Sequence, residues 1–525
     1  MGEQKFRLTY ATMYNPPEEL HTNFEAAVEK IRTNLGREFP MYIDGQDVFA
    51  EEKFEDRSPV DTTMLLGVFQ KGDASHAEMA LKAARKAARG WARTDWQVRV
   101  ALLRKAAERI DARIYEFAAV LSLEVGKNRM EALADAAESA DLMRYAADQM
   151  EANQGFVVKM GDDPLEGYVA QNYSTLKPYG VWLVISPFNF PGALTAGPVG
   201  AALVTGNTVV IKPATDTPWT SRLIAECFDE AGFPPGVVNY VTGPGRTLGQ
   251  ALVDSPEVDG ITFTGSYDVG MKIFRDFATG PYPRPTILEM GGKNPAIVSR
   301  NADLERAAQG VFRSAFGLQG QKCSAASRIL VEEPVYDDLV QRLKKLTEDA
   351  VMGDPTLKET FLGPVANQSA YNDYKSFTEE LSQAGTILTG GKVRTEGMFG
   401  RGYYCEPTIA LDVPLTHRLW KQEMFLPITM VHKVSSLDQA MDIANDVDYG
   451  LTAGFYGTPE ETSWFFENIE AGVVYANRPH GATTGAWPGF QPFGGWKGSG
   501  STGKNAGGHY YLFSYMHEQI NTTIR

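Results

Sequence analysis

A chain of 525 residues with 43% hydrophobic residues, 22% charged residues and 51 glycines has ample apolar material to offset the entropy of ordering, which excludes a disordered or fibrous chain. It is too long for a single core, and ordinary domain sizes give roughly two to four domains. A formal net charge of −15 excludes a phosphate backbone as the main partner, because such binding needs clustered Lys and Arg, so no nucleic acid is expected.

The N-terminal MGEQKFRLTYATMYNPPEEL mixes charges with prolines and lacks the apolar run of an export signal. Residues 75–150 read as helices. Ser75 and Glu78 have capping-box spacing ahead of ALKAARKAARGW, and the apolar period then continues to Gly126. Residues 155–175 are different: two alternating stretches flank an Asp-Asp-Pro turn, the pattern of a hairpin flap whose edge a partner subunit could cover.

Short β-rich runs follow, VWLVI, TVVIK, VVNYVTG, GITFTG and TILEM, separated by helical segments near 217–231, 246–254 and 268–279. This alternation predicts an α/β fold with a parallel sheet wound by helices on both faces, which binds ligands at the carboxyl ends of its strands. SPFNFP, KPATDTP, TGPG, TGSYDVG and EMGG then share one rim. The apolar region starting at Gly180 is broken by Pro, Gly and Asn, so buried strands are expected in place of a membrane span. A second α/β pattern begins near residue 295 with NPAIVS, a helix to Gly317, a cysteine loop, RILVEE and a further helix. It continues through EPTIALDV and ITMVHKV to GVVYANR. The aromatic, β-prone C-terminus could pair with the flap.

Several residues carry chemistry or structure equally well when taken alone. Cys323 in GQKCSAASR is either a nucleophile, with Lys322 and loop N–H groups supplying a positive environment, or a small buried hydrophobe. Glu289, at the end of an apolar strand, is a base with a raised pKa or a rim salt bridge. Ser266 at a strand-to-helix turn can hold a phosphate, Lys212 can reach a ribose or phosphate, and Asn189 can cap a turn or donate to an oxyanion. Cys227, Cys323 and Cys405 contain no CxxC and are odd in number, so no disulfide framework is expected and a reducing, cytoplasmic location is the reading. The seven histidines include no HExxH, so no metal site is expected.

Together, in this order, PFNFP, KPATDTP, FTGSYDVG, LEMGGKNP, GQKCS, EMFLP and PFGGWKGSG resemble the aldehyde dehydrogenase superfamily from about residue 40 to the C-terminus. The resemblance implies a Rossmann-type NAD-binding domain (1–154 and 176–288, with an N-terminal helical region) and an α/β catalytic domain (289–486). Residues 487–504 would return to the cofactor domain, and 155–175 with 505–525 would form a small β oligomerisation flap. It implies a nucleophilic Cys323, an oxyanion held by Asn189 and the Cys323 N–H, and hydrolysis of a thioester by water that Glu289 deprotonates. Lys212 would bind the adenine ribose, Ser266 the pyrophosphate, and Glu423 the nicotinamide ribose beside Phe425. Phe263, Gly265 and Val269 would line the groove. Thr215 stands where NAD-selective members carry an acid, so NAD with tolerance of NADP is expected.

Within the superfamily the cysteine loop and TTGAWPGFQPFGG are most similar to the branch that oxidises glutamate γ-semialdehyde, the open form of 1-pyrroline-5-carboxylate, in proline degradation. That implies a carboxylate nest from the Ser324 hydroxyl and the Gly485 and Ala486 N–H groups, with Phe190 and Phe493 sandwiching the aliphatic middle. Glu138 would meet the ammonium unless it is one more acid on a solvated helix face. A different semialdehyde, such as succinic, is the alternative substrate, and a non-catalytic protein that has kept the fold is the alternative class. A small aldehyde and further copies of the chain are the expected partners, with no membrane.

Overall fold

The computed structural model of the chain describes residues 7–9, 12–13, 16–164, 166–478 and 487–525. Its first sheet has the strand order Thr286–Glu289, Gly260–Thr264, Val181–Ile185, Thr208–Lys212, Val238–Tyr240, Met41–Ile43, Gln46–Val48. The first five strands are parallel and the last two join antiparallel at the edge. The chain enters the parallel part at Val181–Ile185, winds outward through Val238–Tyr240, then returns to the other side at Gly260–Thr264. Strand order therefore reverses between Val181–Ile185 and Gly260–Thr264, and a doubly wound sheet opens its ligand crevice there, beyond the strands' carboxyl ends. The Ser186–Pro191 and Gly265–Ser266 turns flank that crevice.

The second sheet runs Thr386–Thr389, Thr408–Leu411, Ile428–Val434, Ala326–Glu332, Asn294–Val298, Thr452–Tyr456, Val473–Ala476, and only Thr386–Thr389 is antiparallel to its neighbour. The strand ending at Glu289 and the strand starting at Asn294 belong to different sheets, so Met290–Lys293 crosses from one domain to the other. The C-terminal part comes back. Met290 N–H donates to the Ser499 carbonyl (2.9 Å) and Leu288 N–H to Ser501 Oγ (2.8 Å), which seats 499–501 on the edge of the first sheet.

The flap is a three-stranded sheet in which Ala170–Pro178 lies between Val157–Lys159 and the C-terminal Met516–Ile524. Nine residue pairs register the long strands, from Met516 with Pro178 to Ile524 with Ala170. The central strand thus continues three residues beyond the expected limit at 175. Val157, Val158, Tyr168, Val169, Ile520 and Ile524 are exposed on it. Among the described residues no helix is long and apolar enough to cross a membrane.

Three details differ from the sequence reading. The N-terminal region is only partly helical, because Arg37–Phe39, Lys53–Arg57 and Leu65–Gln70 form a sheet of their own. The helix Ala74–Arg93 is capped by Asp73, whose carboxylate accepts from the Ser75 and His76 N–H groups, so Ser75 lies inside the first turn and is not the cap. The long helical period before Gly126 breaks at Arg113 into Trp96–Ala112 and Ile114–Val125, the second closed by Gly126 in the left-handed conformation (φ 84°).

Candidate active site

Cys323 sits in the loop between helix Leu304–Phe316 and strand Ala326–Glu332. The loop opens with two non-glycine residues in the left-handed region, Leu318 (φ 49°) and Gln319 (φ 54°), a conformation that persists only where its surroundings impose it. Helix Arg129–Ala152 and its approach impose it here. Leu318 N–H donates to Glu131 Oε2 (3.0 Å), the Gln319 side-chain amide donates to the Gly126 carbonyl (3.1 Å), and Lys322 Nζ lies 2.7 Å from Glu131 Oε1. From the loop's own sheet, Asn294 Nδ2 donates to the carbonyls of Cys323 (2.7 Å) and Ala325 (2.9 Å). The nucleophile candidate is therefore held from both sides.

Its environment is not the positive one expected from Lys322, whose ammonium is paired with Glu131 in a buried ion pair. Burial pushes the Cys323 thiol well above its ordinary pKa; the carboxylates of Glu423 and Glu289 add to that, against the Ser324 and Cys323 N–H groups. Burial and these carboxylates thus disfavour the thiolate. Glu289 faces the same cavity. Burial raises its pKa well above the carboxylate range, its Oε2 has no hydrogen-bond partner, and no ion pair to Glu289 exists among the described residues, so the rim salt bridge is not present. Asn189 is buried and donates through Nδ2 to the Gln321 carbonyl (3.0 Å), two residues before the cysteine.

The cavity in front of Cys323 has about 90 Å³ of water-accessible space and brings together Glu138, Phe190, Glu289, Cys323, Ser324 and Phe493. Glu138 thus faces the pocket instead of being one more acid on an outer helix face. Lys127 Nζ lies 3.5 Å from the centroid of the Phe190 ring, and the same ammonium pairs with Asp135 at 2.8 Å, both side chains fully buried. Asp135 also accepts from the Ala193 N–H (2.7 Å), so one helix fixes both the Phe190 turn and the cysteine loop. Gly485 and Ala486 lie outside the described residues, as does the segment between Arg478 and Trp487.

Sequence reasoning missed Leu142, Trp487 and Gln491, which also line the cavity. Leu142 stands four residues after Glu138, one turn further along the same helix face, a spacing that could have found it. Trp487 is buried, and its indole N–H donates to Asp141 Oδ2 (2.9 Å).

On the crevice rim, Lys212 is buried, donates to the Pro213 carbonyl (2.8 Å), and has its pKa lowered to about 8 by burial, partly offset by Asp216. Thr215 is exposed next to that acid. Ser266 is the N-cap of helix Tyr267–Phe277, yet its side chain makes no capping bond, which leaves the hydroxyl and the first helical N–H groups available. Val269 is exposed on this helix, and Gly265 keeps the turn thin. Phe263 is 5% exposed, with its ring packed against Gly265 and Gly270. Glu423 accepts from the Gly292 N–H (2.8 Å); burial raises its pKa to about 7, against the Gly292 N–H and Lys293. Phe425 has a left-handed backbone (φ 56°) and meets Phe188 edge-on at 5.7 Å. No group of three or more His, Cys, Asp or Glu that could hold a metal occurs among the described residues.

A thiol, a buried carboxyl group and an amide at the mouth of a dinucleotide-type crevice are an arrangement suited to covalent oxidation of a carbonyl. Comparison with known proteins agrees. The sequence profile of the aldehyde dehydrogenase family matches residues 46–520. The 1-pyrroline-5-carboxylate dehydrogenase of Geobacillus sp. (strain WCH70) is 40% identical over 501 residues, covering 94% of each chain. The solved structure of a variant of the Thermus thermophilus 1-pyrroline-5-carboxylate dehydrogenase superposes over 100% of both chains with a TM-score of 0.92 at 35% identity. A structure of a Thermus 1-pyrroline-5-carboxylate dehydrogenase with bound NAD superposes equally well, at a TM-score of 0.92 and 35% identity over 100% of both chains. The chain belongs to the aldehyde dehydrogenase family.

Proposed function

We propose that this chain oxidises L-glutamate γ-semialdehyde, the open form of 1-pyrroline-5-carboxylate, to L-glutamate, with NAD as the preferred hydride acceptor. The observation that carries the reading is the single cavity that has Cys323 and Glu289 among its walls together with Ser324, Glu138 and two phenylalanines. A substrate with a reactive aldehyde at one end and a carboxylate and an ammonium at the other matches that set. The relatives that share the name 1-pyrroline-5-carboxylate dehydrogenase support it.

In this reading Glu289 takes the Cys323 proton, and the sulfur adds to the aldehyde carbon to give a thiohemiacetal. The oxyanion is stabilised by the Cys323 N–H and by the Asn189 amide, which has a second proton besides the one donated to Gln321. Bound NAD supplies the acceptor for the hydride that leaves this carbon. Ser266 and the free end of its helix would hold the pyrophosphate, Lys212 the adenine ribose and Glu423 the nicotinamide ribose, while Gly265, Val269 and Phe425 shape the groove over Phe263. The thioester is then hydrolysed by water activated by Glu289, whose pKa, raised by burial, suits a base that must both accept and release a proton.

Ser324 anchors the distal carboxylate together with Gly485 and Ala486, Glu138 holds the ammonium, and Phe190 and Phe493 pack the methylenes. Glu138 favours this substrate over succinic semialdehyde, which lacks an ammonium. Thr215 provides no charge against a 2′-phosphate, so NADP is tolerated. The exposed apolar residues of the flap are covered by another copy of the chain, making a homo-oligomer. The reading places the enzyme in the cytoplasm. NADH production from 1-pyrroline-5-carboxylate, beside succinic and unbranched aldehydes, tests the assignment. The first should be used best and Cys323→Ala should abolish it; comparable kcat/KM for succinic semialdehyde would overturn the substrate assignment.

A further inference from the structure

Two adjoining cavities share Glu289. The substrate pocket also contains Cys323; the second does not, and it runs between helices Arg129–Ala152 and Ala193–Val204 and the C-terminal segment. Its water-accessible space is about 30 Å³, which exceeds the roughly 10–15 Å³ that one water requires. Most of its wall is apolar, but Gln149, Thr262, Glu289 and Tyr511 contribute polar atoms.

Those atoms are left with unmet bonds. Glu289 Oε2 and Gln149 Oε1 are both inaccessible and have no hydrogen-bond donor among the described residues. Opposite them ends a chain of hydroxyls. Trp182 Nε1 donates to Thr262 Oγ1 (2.9 Å), Thr262 Oγ1 lies 3.1 Å from the Tyr515 hydroxyl, and the Tyr515 hydroxyl donates to that of Tyr511 (2.8 Å). An indole N–H can only donate, so the order that uses every proton runs from Trp182 to Thr262 to Tyr515 to Tyr511. It leaves the Tyr511 O–H as an open donor with no acceptor among the described residues. One small cavity therefore gathers two acceptors without donors and one donor without an acceptor. Water satisfies all three.

We propose that this second cavity is the water site and proton outlet of Glu289, with Tyr511 and Gln149 as its positioning residues. At the thioester stage the acyl group occupies the substrate pocket. Water adds to the thioester carbon, the C–S bond breaks with its electron pair going to the Cys323 sulfur, and Glu289 takes one proton from that water. It must therefore release the Cys323 proton before this step and the proton of the water before the next turnover. A water that accepts from Tyr511 donates to ionised Glu289 Oε2 and, once Glu289 is protonated, accepts its proton and passes it to a second water held at Gln149, without opening the substrate pocket. The inference rests on Glu289 being the base for hydrolysis.

The test separates hydride transfer from hydrolysis by measuring the NADH burst and the steady-state rate with 1-pyrroline-5-carboxylate in Tyr511→Phe and, as a second variant, Gln149→Leu. Both should keep a burst of about one NADH per site while the steady-state rate falls about tenfold, the scale of a positioning partner to a catalytic group. In Tyr511→Phe the acidic limb of kcat should also move to higher pH, because loss of a donor to the carboxylate favours its protonated form. Steady-state rates within twofold of the parent in both variants, or burst and steady state falling together, would overturn the proposal. Glu289→Gln distinguishes its foundation: loss of turnover, with the NADH burst either lost or followed by arrest, keeps the base assignment whatever Tyr511→Phe does, and undiminished turnover removes it.

Discussion

Lys322, the residue just before Cys323, has its ammonium 2.7 Å from Glu131 Oε1, with both side chains 5% exposed or less. A positive charge beside the nucleophile is thus spent on structure: through Glu131 it ties the cysteine loop to helix Arg129–Ala152, and Leu318 N–H is bound to the same carboxylate. Removing one partner of a buried pair leaves the other charge uncompensated and costs about 3–5 kcal/mol. Glu131→Gln is expected to lower unfolding free energy by about 3 kcal/mol, and to reduce kcat more than KM, since the loop carries Cys323. Denaturant melts with steady-state kinetics check both.

Glu423 helps to keep Cys323 protonated, after burial and ahead of Glu289. Replacing it with Gln removes a negative charge near the sulfur, so the thiol pKa should fall and the thiolate fraction at neutral pH should rise. Alkylation of Cys323 by iodoacetamide in the absence of cofactor should be faster in Glu423→Gln than in the parent. Oxidation of the aldehyde should be slower because the proposed ribose contact is lost. An unchanged alkylation rate would remove Glu423 from the control of the thiol.

Ser324→Ala should raise KM for glutamate γ-semialdehyde about tenfold, the scale of one lost hydrogen bond to a charged group, while a tail-less aldehyde is nearly unaffected. Equal effects on the two substrates would sink the anchoring role.

Cofactor choice is testable at one exposed position. Thr215→Glu should cut kcat/KM for NADP strongly while changing that for NAD little, because the new carboxylate would face a 2′-phosphate. A measurable NADP reaction in the parent is part of the same expectation.

Asp56 and Glu124 form a buried carboxyl pair away from the site, with Glu124 accepting from the Trp219 and Thr220 N–H groups at the start of helix Pro218–Ala231. Burial raises both pKa values, that of Glu124 to about 7, and Asp56 is raised further by Glu124. The folded state therefore binds protons that the unfolded chain has lost. The resulting stability is complete below the ordinary carboxylate pKa of about 4 and is lost as pH rises through the folded values. The melting temperature of the parent should fall between about pH 5 and pH 8, and Asp56→Asn should flatten that slope.

The sequence made the crevice legible because each rim loop follows a β-rich run, and parallel sheets place such loops on one side. Cys323, Glu289, Ser324, Phe190, Phe493 and Glu138 meet in one cavity as the family resemblance implied. What escaped was direction. Nothing local told Lys322 to turn toward Glu131, or Phe263 to pack against Gly265. Among the early strands, Arg37–Phe39, Met41–Ile43 and Gln46–Val48 have three residues each, too few for a period to register. The Asp73 cap was misplaced by two residues because Asp and Ser are equally good cap formers, and geometry chose between them.

The central strand of the flap has a further consequence, for the order in which the protein is made. Ala170–Pro178 has only the three-residue Val157–Lys159 on one side; its other edge is closed by the last strand, where Ser174 meets Glu518 across 344 positions of sequence. During synthesis that edge stays open until residues 516–524 have left the ribosome. Contacts of such long range form late, and an unpaired edge invites the wrong neighbour. A chain that stops before residue 516 would carry every residue proposed for cofactor and substrate, yet would lack the strand that completes the flap.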